Sequence, residues 1–204
     1  MSLAAPLRLL SVVFALSLAA APGPAVPDEG VPVERARAFV AEIGGEVVAA
    51  LQSGGPLAER EVAIRDIFQR GFDIETIARF VLGRYWRLAT PAQQAAYLDA
   101  YHGYFAQNYA DRLAGETVSS FAVIAAHKID DRQVIVDTKI ERPDAPPLNY
   151  GWRVRDAGGG QKVVDVVVEG VSLLITQRSD FGAVIQKQGL DGLIESLRQK
   201  VAKT

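Results

Sequence analysis

Two histidines, His102 and His127, and no cysteine are what this 204-residue chain offers for metal-ligand or imidazole chemistry. Neither histidine has a second one a helical turn away, so the paired spacing of a zinc-binding helix is absent. Each reads as a structural or surface side chain. Without cysteine there are no disulfides, no thiolate nucleophile and no thiolate metal site. The acidic pairs Asp28-Glu29 and Asp130-Asp131 lie in turn-like sequence, where carboxylates serve the local backbone. Nothing sets two of them across a cleft, as paired-carboxylate hydrolysis requires. The run Gly158-Gly159-Gly160 lacks both the strand-to-helix context and the Lys-Ser/Thr of a phosphate loop, and reads as a hairpin turn. No G-x-S-x-G elbow is present. The expectation is a protein without catalysis, metal or cofactor.

Aromatic rings are the remaining resource. Five of the 6 tyrosines fall between Tyr85 and Tyr109. At ~100° per residue, Tyr97, Leu98, Tyr101, Tyr104, Phe105 and Tyr109 share an arc of about 140°, together with Gln94, Asn108 and Arg112. A stacking platform for bases would interleave Arg and Lys with the rings. Residues 91–110 contain neither, and the chain's formal net charge is −2. No nucleic-acid partner is expected. The stripe is then either ordinary core or the wall of an apolar pocket, and spacing alone favours core.

The elements that must position these rings follow from period and punctuation. Arg8, the apolar run 9–20 and Ala19-Ala20-Ala21 have the layout of a secretory signal peptide, residues 1–21, implying export. Residues 22–32 are Pro- and Gly-rich and read as a flexible N-terminus, leaving 33–204 as one domain. Residues 33–52 read as a helix in which Gly44-Gly45 offers a place to bend. A second helix, 57–69, turns Val62, Ile64, Ile67 and Phe68 to a broad face, with Gly71 suited to a left-handed end. Asp73 caps a short helix, 74–82, with Ile77, Phe80 and Val81 inward, and Gly83 closes it. Thr90-Pro91 starts the tyrosine-rich helix, about 91–113. The period then becomes two. Val134, Val136, Thr138 and Ile140 alternate with Ile135, Asp137, Lys139 and Glu141, and Leu148, Tyr150, Trp152 and Val154 with Asn149, Gly151, Arg153 and Arg155, one face covered and one wetter, with flanking strands at 121–128 and 162–169. Helical period returns after Gly170, and Gly189 breaks it before a terminal helix, 190–201. This is an α+β layout: a four-stranded antiparallel meander with helices packed on one face.

Several blocks together resemble a known family: FDIETIA (72–78), VLGRYWRLATPAQQ (81–94), YADRL (109–113), VDVVVEGVSLLITQ (164–177) and the following RSDFGAVIQKQGLDGLIESL (178–197). The chain is similar, from about residue 33 to its end, to the periplasmic phospholipid-binding component of the Mla lipid-transport system, also called the toluene-tolerance family. The resemblance implies a twisted sheet packed with helices around a deep apolar cavity. It also implies a periplasmic, non-catalytic carrier with phospholipid as cargo. The implied partners are an inner-membrane ABC-transporter complex and an outer-membrane lipoprotein complex. Gly115-Glu116 stands where the family would have an aromatic residue. A branch associated with hopanoid lipids remains an alternative cargo class, and a secreted enzyme or a non-lipid interaction module with a filled core are alternative functions.

No short motif of the family carries lipid contacts, so candidates come from the stripes. The tyrosine helix is expected to face the covered side of the sheet. The lipid-binding candidates are Val81, Tyr85, Tyr101, Tyr104, Phe105, Val136, Tyr150, Trp152, Val166, Val168 and Leu173. Arg84, Arg87 and Arg112 are candidates for a phosphate at the cavity mouth.

Overall fold

The computed structural model describes residues 32–202, and the side chains of residues 111 and 112 are not part of that description. The expected signal peptide and nearly all of the expected flexible N-terminus lie outside the described residues.

Four helices precede the long tyrosine helix's start or lead into it: α1 (Val33–Gln52), α2 (Leu57–Gly71), α3 (Ile74–Leu82) and the single turn α4 (Arg84–Leu88). α5 (Pro91–Ala114) begins with a complete capping box. The Thr90 hydroxyl accepts from Gln93 N–H at 3.2 Å, and Thr90 N–H donates to Gln93 Oε1 at 3.1 Å. Strands β1 (Ser120–Asp130), β2 (Gln133–Arg142), β3 (Ala145–Asp156), β4 (Gln161–Val168) and β5 (Val171–Ser172) lie side by side in chain order, every pair antiparallel. α6 (Leu173–Ala202) follows directly and breaks at Gly189, whose φ is 73°.

The sheet has five strands, one more than expected. β5 is two residues long, too short to show a period. It exists because Glu169 (φ 47°) and Gly170 (φ 82°) turn the chain back onto the end of β4. The register places Val134 opposite Val154, Val136 opposite Trp152 and Trp152 opposite Val166. One face of the meander is therefore continuous, and its centre (Val134, Val136, Val154, Val163) is fully buried under helices. Val164 is an extra residue of β4 opposite the Arg153–Val154 step, a bulge that bends the strand where α6 will cross.

Asp73 ties helices to sheet. Its Oδ1 accepts from Thr76 N–H (3.0 Å) at the start of α3, and its N–H donates to the Val163 carbonyl (3.0 Å). Its Oδ2 accepts from Arg155 Nη2 (2.6 Å). Burial pushes the Asp73 carboxyl up, but the Thr76 bonds and the Arg155 guanidinium together outweigh it and hold the group below its ordinary 3.8.

Four local expectations are corrected. α1 runs unbroken through Gly44-Gly45; a Cβ at Gly44 would stand 2.2 Å from the Phe121 ring, so this glycine is there for close approach of β1. Gly71 is the last helical residue of α2 without a positive φ, and a Cβ there would meet Ile43 Cδ1 at 2.6 Å. Phe80 is not inward: it is 41% exposed beneath the Arg178 guanidinium, 5.0 Å from its ring centroid. Val62 likewise faces solvent, at 52% exposure.

Candidate functional site

Between the helices and the sheet lies a pocket of about 350 Å³, within the roughly 300–1,000 Å³ typical of small-molecule sites. Phe68 and Phe72 from the end of α2, Ile77 of α3, and Phe105, Tyr109 and Leu113 of α5 form its helical wall. The sheet contributes Ile140 and Arg142 from β2, Leu148, Tyr150 and Trp152 from β3, and Asp165, Val166 and Val168 from β4. Glu116 and Val118 of the α5–β1 connection, and Leu173, Leu174 and Gln177 of α6, complete it.

The rings brace one another. Phe72 packs against Phe68 and Phe105 at centroid distances of 5.0 and 5.5 Å, and Phe105 against Tyr109 at 4.9 Å. Trp152 stacks with Tyr150 at 6.2 Å. The Trp152 indole N–H donates to the buried Thr138 hydroxyl at 2.8 Å, so its polar atom is satisfied within the sheet. The wall this leaves is mostly hydrocarbon. At the α6 end, Asp165, 4% exposed, accepts from the Ser172 hydroxyl (2.7 Å) and from Leu174 N–H (3.2 Å). Gln177 Oε1 accepts from the Tyr101 hydroxyl at 2.5 Å. Burial pushes the Tyr101 hydroxyl far above its ordinary range, so it acts only as a neutral donor. Tyr150 is also raised, first by burial, then by Glu116 and Glu169, with Arg142 pulling against them.

Of the residues named from sequence, Phe105, Tyr150, Trp152, Val166, Val168 and Leu173 come together in this pocket. The other five do not line it. Val81 and Val136 are buried core, at 1% and 0% exposure. Tyr101 is fully buried and reaches the pocket only through Gln177, while Tyr104 packs on Phe181 of α6 and lines a neighbouring cleft. Tyr85 lines a separate surface groove with Arg84, whose Nη2 donates to the Tyr85 hydroxyl at 3.0 Å. Arg87 is exposed on α4 and lines no part of the pocket, and the Arg112 side chain lies outside the described residues.

The reason is the orientation of α5. Its stripe does not turn to the sheet along its length. Tyr97 donates to the Ala78 carbonyl of α3 (2.9 Å), and Tyr101 and Tyr104 pack against Phe181 of α6. Only the last turns, from Phe105 on, reach the space above the strands. Phe68, Phe72, Ile77, Leu113, Val118, Ile140 and Leu148 were missed as wall residues. Ile140 and Leu148 were legible from the strand alternation; Phe68 and Phe72 sit at a helix end whose direction is a tertiary matter. In the sequence, Glu116 stands out only as a departure from an aromatic. Among the described residues no group of three or more His, Asp or Glu side chains is placed to hold a metal ion.

This layer of helices on one face of an antiparallel meander is shared with a solved phospholipid-binding protein. That protein, from Ralstonia solanacearum and solved in complex with a phospholipid, superposes with a TM-score of 0.70 at 26% identity, covering 82% of this chain and 97% of that one. The MlaC protein family matches residues 43–199, and the chain belongs to that family. A curated relative, the intermembrane phospholipid transport system binding protein MlaC of Haemophilus influenzae, is 26% identical over 135 residues. That match spans 64% of this chain and 63% of the relative's length.

Proposed function

We propose that this protein is a periplasmic phospholipid carrier that hides acyl chains in the pocket beneath Trp152 and Tyr150 and passes lipid between the two membranes. The observation that carries this reading is the apolar pocket itself, framed by rings of which Trp152 has its indole N–H satisfied by Thr138, in a fold shared with a phospholipid-bound structure. Each buried CH₂ is worth about 0.8 kcal/mol against water, so a ~16-carbon chain represents on the order of 12 kcal/mol. A carrier must hide nearly all of that hydrocarbon, which calls for the helices to part from the sheet and enclose it. The partners in this reading are an inner-membrane ABC-transporter complex and an outer-membrane lipoprotein complex. The donor bilayer is as apolar as the pocket, so direction must come from those complexes. No step of this work requires catalysis by the carrier.

Native mass spectrometry of the protein purified from a phospholipid-containing host tests the reading. A bound phospholipid-sized mass that organic extraction removes is expected. Protein that is always recovered at the bare polypeptide mass, and takes up no lipid from vesicles, would overturn it.

A further inference from the structure

The charged side chains lining the pocket are Asp165, Arg142 and Glu116, and they differ in what they already hold. Asp165 is committed to Ser172 and Leu174, as above. Arg142 donates through Nε and Nη2 to the Pro146 carbonyl at 3.2 and 2.7 Å, which fixes the guanidinium over its own hairpin and leaves its other N–H groups to point elsewhere. Glu116 is exposed, and among the described residues its carboxylate has no hydrogen-bond or ion-pair partner. These two belong to one end of the pocket. Ser119 N–H donates to the Glu141 carbonyl at 2.9 Å, pinning the α5–β1 connection that carries Glu116 to the end of β2 that carries Arg142. The Tyr150 hydroxyl on the adjacent strand feels both charges.

An amphiphile in this pocket therefore finds the Glu116 carboxylate and the Arg142 N–H groups not used on Pro146 at one end of it. We propose that Glu116 and Arg142 form the head-group end and favour a phosphate ester bearing a primary ammonium, the phosphoethanolamine type, with Arg142 taking the phosphate and Glu116 the ammonium. The proposal rests on the carrier reading and adds to it an orientation and a selectivity. A phosphoglycerol head would satisfy Arg142 but set its phosphate beside an unbalanced carboxylate. The arrangement is partly open to water, where an ion pair is worth about 0.2–1 kcal/mol, and over most of that range the expected preference is about two- to fivefold.

The test is competition. Delipidated protein is equilibrated with vesicles containing equal amounts of phosphatidylethanolamine and phosphatidylglycerol of identical acyl chains, and the bound ratio is read by native mass spectrometry. The wild type should carry a two- to fivefold excess of the ethanolamine lipid. Glu116→Gln should bring the ratio to parity, and Glu116→Lys should invert it. Glycerophosphoethanolamine, the same head group without chains, should not be retained. A ratio that is the same in wild type and both variants overturns the proposal while leaving the carrier reading standing. Retention of the chainless ester as firmly as the lipid would also overturn it, since the rim would then serve a free phosphate ester. Failure of the wild type to take up either lipid overturns both readings.

Discussion

Single side chains on the pocket wall separate lipid capacity from fold stability. Val166 is half-buried, lines the pocket and faces Trp152 across the β3–β4 ladder. Val166→Trp places an indole in the space the ligand would use. A comparable insertion into close-packed core costs about 1–3 kcal/mol; here it should cost less than that range, while bound lipid falls severalfold. Urea titration and native mass spectrometry on the same preparation check the two halves. Tyr101→Phe tests the opposite kind of residue. It removes the hydroxyl that donates to Gln177 and should cost about 1 kcal/mol by the same titration, with the pocket wall otherwise intact. At this scale the sequence was informative about residue type and poor about role. Tyr101, Tyr104 and Phe105 share a stripe, yet one holds α6, one packs beside it and one faces the pocket. Periodicity tells which residues share a face, and it is silent on what lies opposite.

The elements were the most legible level. Thr90-Pro91, Asp73 and the alternation in β2 and β3 fold as read, because caps and two-residue periods act within a few positions of themselves. Where the reading missed, a distant partner decided. Phe80 stays at the surface under Arg178 of α6, and Gly44 of α1 meets Phe121 of β1. Asp73 is the junction whose loss should be felt by several elements at once. Its folded carboxyl is held below the ordinary 3.8, so the unfolded chain binds the proton more readily. The resulting stabilisation is present above pH ~4 and is lost as pH falls through the lower folded value. Urea unfolding from pH 5 downward should show a decline that Asp73→Asn flattens, since asparagine can still cap α3 but carries no charge for Arg155. A wild-type acid limb unchanged in Asp73→Asn would contradict this.

For the molecule as a whole, the arithmetic of transfer sets the expected behaviour. Lipid passing from bilayer to pocket exchanges one apolar surrounding for another, so little net driving force exists, while the intermediate exposure of a ~16-carbon chain costs on the order of 12 kcal/mol. For the proposed carrier, spontaneous exchange of fluorescent phospholipid with plain vesicles should therefore be slow, and faster when the membrane complexes of that proposal are added. Rapid unassisted exchange would contradict a carrier that encloses its cargo.

What local order along the chain determined was the inventory: helices with their caps, a meander of alternating strands, and a likeness to a lipid-carrier family. Those features arise from interactions spanning a few residues, so they can be read without coordinates. What only the tertiary structure decided was which faces meet. The pocket is assembled from α2, α3, α5, α6, three strands and the α5–β1 connection, and the Ser119–Glu141 bond joins the connection that carries Glu116 to the end of β2 that carries Arg142. Packing of this kind depends on the angles at which helices cross the sheet and one another, and no periodicity within a single segment encodes them.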